Sequence, residues 1–404
     1  MSDGSGLTSR QVATRLAALG HTVGALAPNS LALTRFTRKV STVHRVPAFG
    51  IDPFAWLDAA IGVYHAHRYE VLLPTQEQVA VLSLAHERLR LANVRTVVPG
   101  FVALRAVQDK VAAHDTLNRL GIPQPDAHVV HSVGALLDVD RFPVFVKMPI
   151  GTATSGVLRV ADRGALVALG STLEERELPA EGVLIQRQVS GPLAMVQTLF
   201  DHGRPLAFHA NLRTGDGARG GACNKESVAL PDVERFVQRL GEDLVWHGAL
   251  SLDVVLTSAG PRVIDVNPRL VEPGNALRAG VDLVAPLLEL ALGQRPRCQP
   301  ASREHARTHQ LLLAVLGAAE QGRGRRGVAS ELATALRHTG RYANSVEELT
   351  PVRGDLRAAL PALLASLATL LHPGTSSWFT GGSVTASALS PDGWRRILAA
   401  AGEQ

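Results

Sequence analysis

Apolar residues recur along the chain with helical spacing in some stretches and strict alternation in others, so the pattern predicts a mixed α/β architecture. Val12, Leu16 and Leu19 share one face of a helix over 9–20, which Gly20 stops, and a strand follows over 21–26. Val71–Pro74 reads as a short buried strand and 76–84 as a helix. Together these outline a small N-terminal α/β domain over 1–102. A domain of this type ordinarily opens with a strand, yet only six residues precede Leu7, so its first strand is expected to be truncated or absent.

The pattern then changes. Leu104, Val107, Val111, Leu117 and Leu120 predict one amphipathic helix over 103–120, with Lys110 inside it, ended by Gly121 and Pro123. Strands follow at 127–131, 143–148 and 156–160, and helices near 163–170 and 232–246. Two hairpins are legible. Ala194–Phe200 and Pro205–Ala210 flank a turn at 201–203, and Leu250–Leu256 and Arg262–Val266 flank a loop over Thr257–Pro261. These elements define a second domain over 103–298. From 299 to 404 the chain reads as mostly helical, with segments at 303–320, 327–338, 355–371 and 391–401.

Composition narrows the class. Hydrophobic residues are 46% of the chain and charged residues 19%, enough apolar material for packed cores. No apolar run approaches the ~18 residues of a membrane span, and residues 1–6 lack a basic-then-apolar signal, so a cytoplasmic protein is expected. Cys223 and Cys298 form no metal or disulfide pattern. The net charge of +5 is small for 404 residues, and its densest cluster, Arg323, Arg325 and Arg326, reads as a solvated linker, so no nucleic-acid partner is expected. Only four of the 41 basic residues are lysines: Lys39, Lys110, Lys147 and Lys225. A chain that uses arginine for generic surface charge marks its lysines as candidates for work that needs a compact ammonium, such as gripping a phosphate.

The second hairpin carries the strongest chemistry. Residues two apart on a strand share a face, so Asp265 and Asn267 point the same way, and a loop over Thr257–Pro261 sets Asp253 opposite Asp265. Two carboxylates this close repel unless a cation lies between them, and all-oxygen donors suit magnesium. Arg269 follows two residues later. Upstream, Pro143–Lys147 alternates so that Phe145 and Lys147 share a face. A loop rich in glycine and hydroxyls, Pro149–Gly156, comes next and can offer backbone amides to phosphate oxygens. Val183–Gly191 is an apolar strand running into a polar linker.

Taken in order, these pieces resemble the ATP-grasp superfamily over about residues 103–295. The resemblance implies an α+β ATP-grasp core of two lobes between the N-terminal α/β domain and a C-terminal helical appendage. It implies that Lys110 and Lys147 hold the α- and β-phosphates of ATP. Gly151, Thr152, Thr154, Ser155 and Gly156 would close over the triphosphate, and Gln186, Arg187, Gln188 and Val189 would line the adenine pocket. Asp253, Asp265 and Asn267 would bind two Mg2+ ions, with Mn2+ as the alternative metal. Arg269 would face the γ-phosphate and an acyl phosphate, and Lys225 falls where relatives often carry a basic residue near the phosphates. Two positions depart from the family pattern: Asp265 stands where glutamate is usual, and Arg187 where an acidic residue is frequent, which leaves the ribose contact unassigned.

The implied activity is a ligase that activates a small-molecule carboxylate as an acyl phosphate and passes it to a small-molecule amine, with ADP and phosphate as products. His209, Glu226 and Glu272 are the candidates for a general base, Glu272 also for a contact with the amine. Homodimers are common among the relatives. Two alternatives stay open: an ATP-grasp enzyme with a thiol acceptor or with bicarbonate as the acid, and a non-catalytic nucleotide-binding protein.

Overall fold

The structure, a computed structural model, describes residues 1–29, 32–151, 156–176, 178–349, 354–375 and 387–402. The N-terminal part holds the helix Leu7–Ala18 and two parallel strands, β1 (Gly24–Ala27) and β2 (Thr42–Arg45). Helix Pro53–Ala66 is started by Asp52, whose side chain accepts from the Phe54 and Ala55 amides at 3.0 Å. The strand expected at 71–74 is absent. Those residues are extended and mostly buried, but their backbone bonds go to single neighbours, from Leu72 N to Arg95 O and from Ser2 N to Leu73 O, so no ladder forms. Residues 1–3 lie where the first strand was expected to be missing. Met1 N donates to Gly24 O at 2.8 Å, and Leu26 N donates to Met1 O at 3.2 Å.

The helix expected over 103–120 is two helices, Phe101–Gln108 and Lys110–Arg119. Asp109 breaks them: its backbone is extended (φ −96°, ψ 155°), and its carboxylate caps the second helix by accepting from Ala112 N at 2.7 Å. Lys110 therefore opens a helix instead of lying within one.

Beyond it, β3 (Ala127–Val130), β4 (Val144–Lys147), β5 (Val157–Val160) and β6 (Val183–Arg187) form an antiparallel sheet in the order β3-β6-β4-β5. Val144, Val146, Val183 and Ile185 pack one face against Leu136, Leu166 and Leu173 from the helices Val133–Leu137 and Arg163–Arg176. Alternation then turns Phe145, Lys147, Leu184 and Gln186 to the opposite face.

The larger lobe is built from β7 (Leu193–Asp201), β8 (Arg204–Asp216), β9 (Ala222–Ser227), β10 (Gly248–Thr257), β11 (Gly260–Asn267), β12 (Arg307–His309) and β13 (Ser345–Glu347). They form one seven-stranded sheet in the order β11-β10-β7-β8-β9-β12-β13. Strand β12 is a correction to the helical reading of 303–320. Residues 307–309 complete the free edge of β9, and the helix begins only at Leu311, whose amide donates to Glu347 at 3.0 Å. The C-terminal region is otherwise largely helical, and among the described residues no helix is long and apolar enough to cross a membrane.

The β10–β11 hairpin differs from expectation in two ways that cancel. Its turn is only Ser258 and Ala259, so Leu256 pairs with Pro261 and not with Arg262. A one-residue bulge at Ile264 then restores the offset, and Asp253 does pair with Asp265 and Ser251 with Asn267. Without that extra residue in the ladder Asp253 would face Ile264, and Asp265 would point to the other side of the sheet.

The break at residue 109 leads to a first test. Asp109→Ala should lower stability by about 1 kcal/mol in urea unfolding, and Asp109→Asn, which keeps the acceptor, should recover most of it. Equal stability of the parent and Asp109→Ala would show that the cap contributes nothing.

Candidate active site

The paired strands bring three oxygen donors together. Asp253 and Asp265 oppose each other, and Asn267, two residues beyond Asp265 and paired with Ser251, lies on the same face. Burial, and then the charge of Asp265, push the Asp253 carboxyl up to about 7, against the pull of Lys147, Arg269 and the Asn267 amide. A carboxylate pair under this strain, with all-oxygen donors, fits a hard divalent cation such as magnesium. Next to it Arg269 is fixed by its backbone. Its amide donates to Asn267 O at 2.7 Å, its carbonyl accepts from Ser251 Oγ at 2.8 Å, and its guanidinium lies 3.7 Å from Glu77.

The small lobe contributes two ammonium groups. Lys147 is buried, and its Nζ donates to Ile264 O at 2.5 Å, the carbonyl of the bulge residue. Burial depresses its pKa, resisted by Asp265 and Asp253 and assisted by Lys110. Lys110 donates from Nζ to Gly151 O at 2.9 Å and from its amide to Pro149 O at 3.0 Å. Lys110, Gly151, Asp265, Asn267, Arg269 and Glu77 line one cavity between the lobes, beside the buried Gln108 Oε1, which has no hydrogen-bond partner.

The loop expected to close over the triphosphate is described at its ends only. Gly151 receives Lys110, and Gly156 has φ +78° and accepts from Met148 N at 2.7 Å; Thr152, Thr154 and Ser155 lie outside the described residues. Of the proposed adenine segment, Gln186 is buried on the face that carries Lys147. Gln188 and Val189 are half-buried, with Gln188 accepting from Arg159 at 2.8 Å. Arg187 is exposed and pairs with Asp126 at 3.3 Å.

Lys225 lies apart from the other two lysines, on β9, three strand spacings or about 14 Å from β10. Its buried ammonium contacts Glu272, and Glu348 at 2.6 Å. Burial alone would lower its pKa, but the two carboxylates hold it above the ordinary lysine value. Gln310 Nε2 donates to both carboxylates, at 2.5 and 2.7 Å, and Thr308 donates to Glu348 at 2.6 Å. Sequence reasoning missed Glu348, Gln310 and Thr308 because they come from the strands and helix start it had read as an appendage. It also missed Gln197 and Asn211, which share the sheet face with Asp253 and Lys225. Gln197 Oε1, Gln310 Oε1 and both polar atoms of the Asn211 side chain are buried without a partner. Each such atom left dry costs about 1–3 kcal/mol, so their concentration here suits ordered water or a polar ligand.

Glu272 holds φ +40°, a backbone state that non-glycine residues rarely adopt and that clusters at functional positions. Of the other two candidate bases, His209 is enclosed by Asn275 and Ser302, and Glu226 binds His305 and Arg307 instead of entering this pocket.

No family model matches the chain. Part of it is 26% identical over 193 residues to the carbamoyl phosphate synthase large chain of Thermus thermophilus, covering 44% of this chain and 18% of that one. Part is 27% identical over 179 residues to the probable alpha-L-glutamate ligase 2 of Hahella chejuensis, covering 41% of this chain and 56% of that one. The chain thus spans less than a fifth of the first relative and just over half of the second. Among solved structures, the biotin carboxylase domain dimer of Hydrogenobacter thermophilus 2-oxoglutarate carboxylase superposes with a TM-score of 0.59 at 16% identity, over 74% of this chain and 70% of that one. The L-amino acid ligase of Bacillus licheniformis gives 0.54 at 18% identity, over 71% and 72%. The chain has the ATP-grasp fold.

The Asp253 shift fixes the sign of a pH effect. The unfolded carboxyl ionises near 4 and the folded one near 7, so the folded state binds the extra proton and loses stability as pH rises between these values. In a chelator, Asp253→Asn should match the parent near pH 4 and exceed it at pH 8, by on the order of 1–4 kcal/mol. A parent at least as stable as the variant in urea melts at pH 8 would contradict the repulsion.

Proposed function

We propose that this chain is an ATP-dependent ligase that joins a carboxylate to an amine through an acyl phosphate. The observation that carries the reading is the convergence of Asp253, Asp265 and Asn267 with Lys147 and Arg269, with Lys110 across the same cavity. The magnesium ADP and bicarbonate in the Hydrogenobacter structure support a magnesium nucleotide here, and the two ligase relatives support an amine acceptor. One or two Mg2+ ions, or Mn2+, would be held by Asp253, Asp265 and Asn267 and would neutralise charge on the transferring phosphoryl group.

In this reading an oxygen of the acid attacks the γ-phosphorus, and ADP leaves. The amine nitrogen then attacks the acyl carbon, phosphate leaves, and the nitrogen gives up a proton. Lys110, Lys147 and Arg269 offset phosphate charge, exchanging their present carbonyl and carboxylate contacts for phosphate oxygens. The polar cluster of Glu272, Glu348, Lys225, Gln310 and Asn211 takes the amine, and Glu272 Oε2 accepts its proton. A homodimer in the cytoplasm belongs to the same proposal. It is supported by the dimeric carboxylase neighbour and by the row of exposed leucines at 360, 363, 367 and 371 on the helix Leu360–Leu371.

A phosphate-release screen of carboxylates paired with amines, thiols and bicarbonate tests this directly. The expected result is ADP formation that needs both an acid and an amine and is absent in Asp265→Ala. Glu272→Gln should lower kcat by about 100-fold or more with little change in the KM for ATP, while hydroxylamine still traps the acyl phosphate. Turnover with a thiol or bicarbonate alone, or nucleotide binding with no turnover across the panel, would replace this reading with one of its alternatives.

A further inference from the structure

At the end of the large sheet remote from the ATP site, the β7–β8 turn meets the segment that leads into β10. Asp201 closes β7, six residues along the strand from Met195, the partner of Asp253, which is about 20 Å. His202 and Gly203 have φ of +49° and +84°, consecutive positive values of the kind tight hairpin turns use. His247 comes from the facing segment and stacks on His202, with ring centroids 4.1 Å apart. Asp201 Oδ1 lies 2.9 Å from His202 Nδ1 and 3.6 Å from His247 Nδ1, and one donor atom from each of the three residues lies within 4.8 Å of the others.

Two features set this group apart from an ordinary turn. His247 Nδ1 is buried and has no hydrogen-bond partner, since Asp201 is just beyond reach. The scaffold around it is also fixed. Gly203 N donates to Trp246 O at 2.7 Å, Trp246 is fully buried, and Gly248 pairs with Phe200. Arg204 takes the other carboxylate oxygen, Asp201 Oδ2, at 3.1 Å, which leaves Oδ1 to face both imidazoles. The group opens into a cavity of about 690 Å3 that Arg295 and Gln294 also line, so a water or an anion has room to complete a coordination shell.

We propose that Asp201, His202 and His247 bind one divalent transition-metal ion of the zinc type. Four donors placed tetrahedrally at about 2.05 Å from zinc are about 3.3 Å apart, and the two contacts of Asp201 Oδ1 bracket that value. Two imidazoles and one carboxylate select zinc, cobalt or nickel over magnesium, which prefers oxygen. The ion clamps the β7–β8 turn to the start of β10 and has no part in phosphoryl transfer, so it stands or falls independently of the ligase reading.

The test uses the full chain, stripped of metal by a chelator and then titrated with Zn2+ by calorimetry and with Co2+ by visible absorption, both in excess Mg2+. The expected result is one ion per chain, with a Kd of about micromolar or tighter, and a melting temperature that rises with Zn2+. His202→Ala, at an exposed turn position, and His247→Ala should each weaken binding by about 100-fold or more and remove the thermal shift, while Asp265→Ala keeps both. Equal binding in the two histidine variants, or loss in Asp265→Ala instead, would overturn the assignment. So would an absence of binding at equimolar Zn2+.

Discussion

The structure depends on a repulsion that it does not relieve by itself. Asp253 and Asp265 face each other across a two-stranded ladder, in a position where burial already disfavours charge. A fold gains nothing from such a pair unless something of opposite charge is to come between them. The positive groups nearby are arranged around that need. Lys147 reaches in from the small lobe and Arg269 from the chain just past β11, and both draw down a carboxyl that the rest of the site drives up.

The same hairpin ties the lobes together. The bulge that sets Asp265 on the side of Asp253 also presents the Ile264 carbonyl to Lys147, so one extra residue orients an acid and anchors a base. The break at Asp109 acts in a similar way. It places Lys110 at a helix start, where its amide meets Pro149 and its ammonium meets Gly151, at the start of the 149–156 loop. The second polar cluster is assembled differently, by strands β12 and β13 extending the sheet so that Glu348 and Gln310 close on Lys225 and Glu272.

Much of this is legible in the sequence where chemistry and alternation coincide. The scarcity of lysine marks Lys39, Lys110, Lys147 and Lys225, of which Lys110 and Lys147 face the Asp253–Asp265 site, and alternation alone puts Phe145 and Lys147 on one face. The pairing of Asp253 with Asp265 is also legible, although the register that leads to it is wrong by one residue at the turn and right again only after the bulge. A bulge leaves no mark in the apolar pattern, because Val263, Ile264 and Val266 are all good strand residues. The helix break is hidden for a related reason: apolar spacing runs on through residue 109, and only the capping geometry shows the stop. Glu348 is invisible because it joins Lys225 from 123 residues away, a contact that no local pattern records.

The most direct measurement is a crystal of the chain grown with Mn2+ and a non-hydrolysable ATP analogue, with the ion located by its anomalous scattering. At least one manganese peak is expected within ligand distance of Asp253, Asp265 and Asn267, with the triphosphate contacting Lys110 and Lys147. A triphosphate bound away from those lysines, or manganese that leaves the Asp253–Asp265 pair untouched, would contradict it.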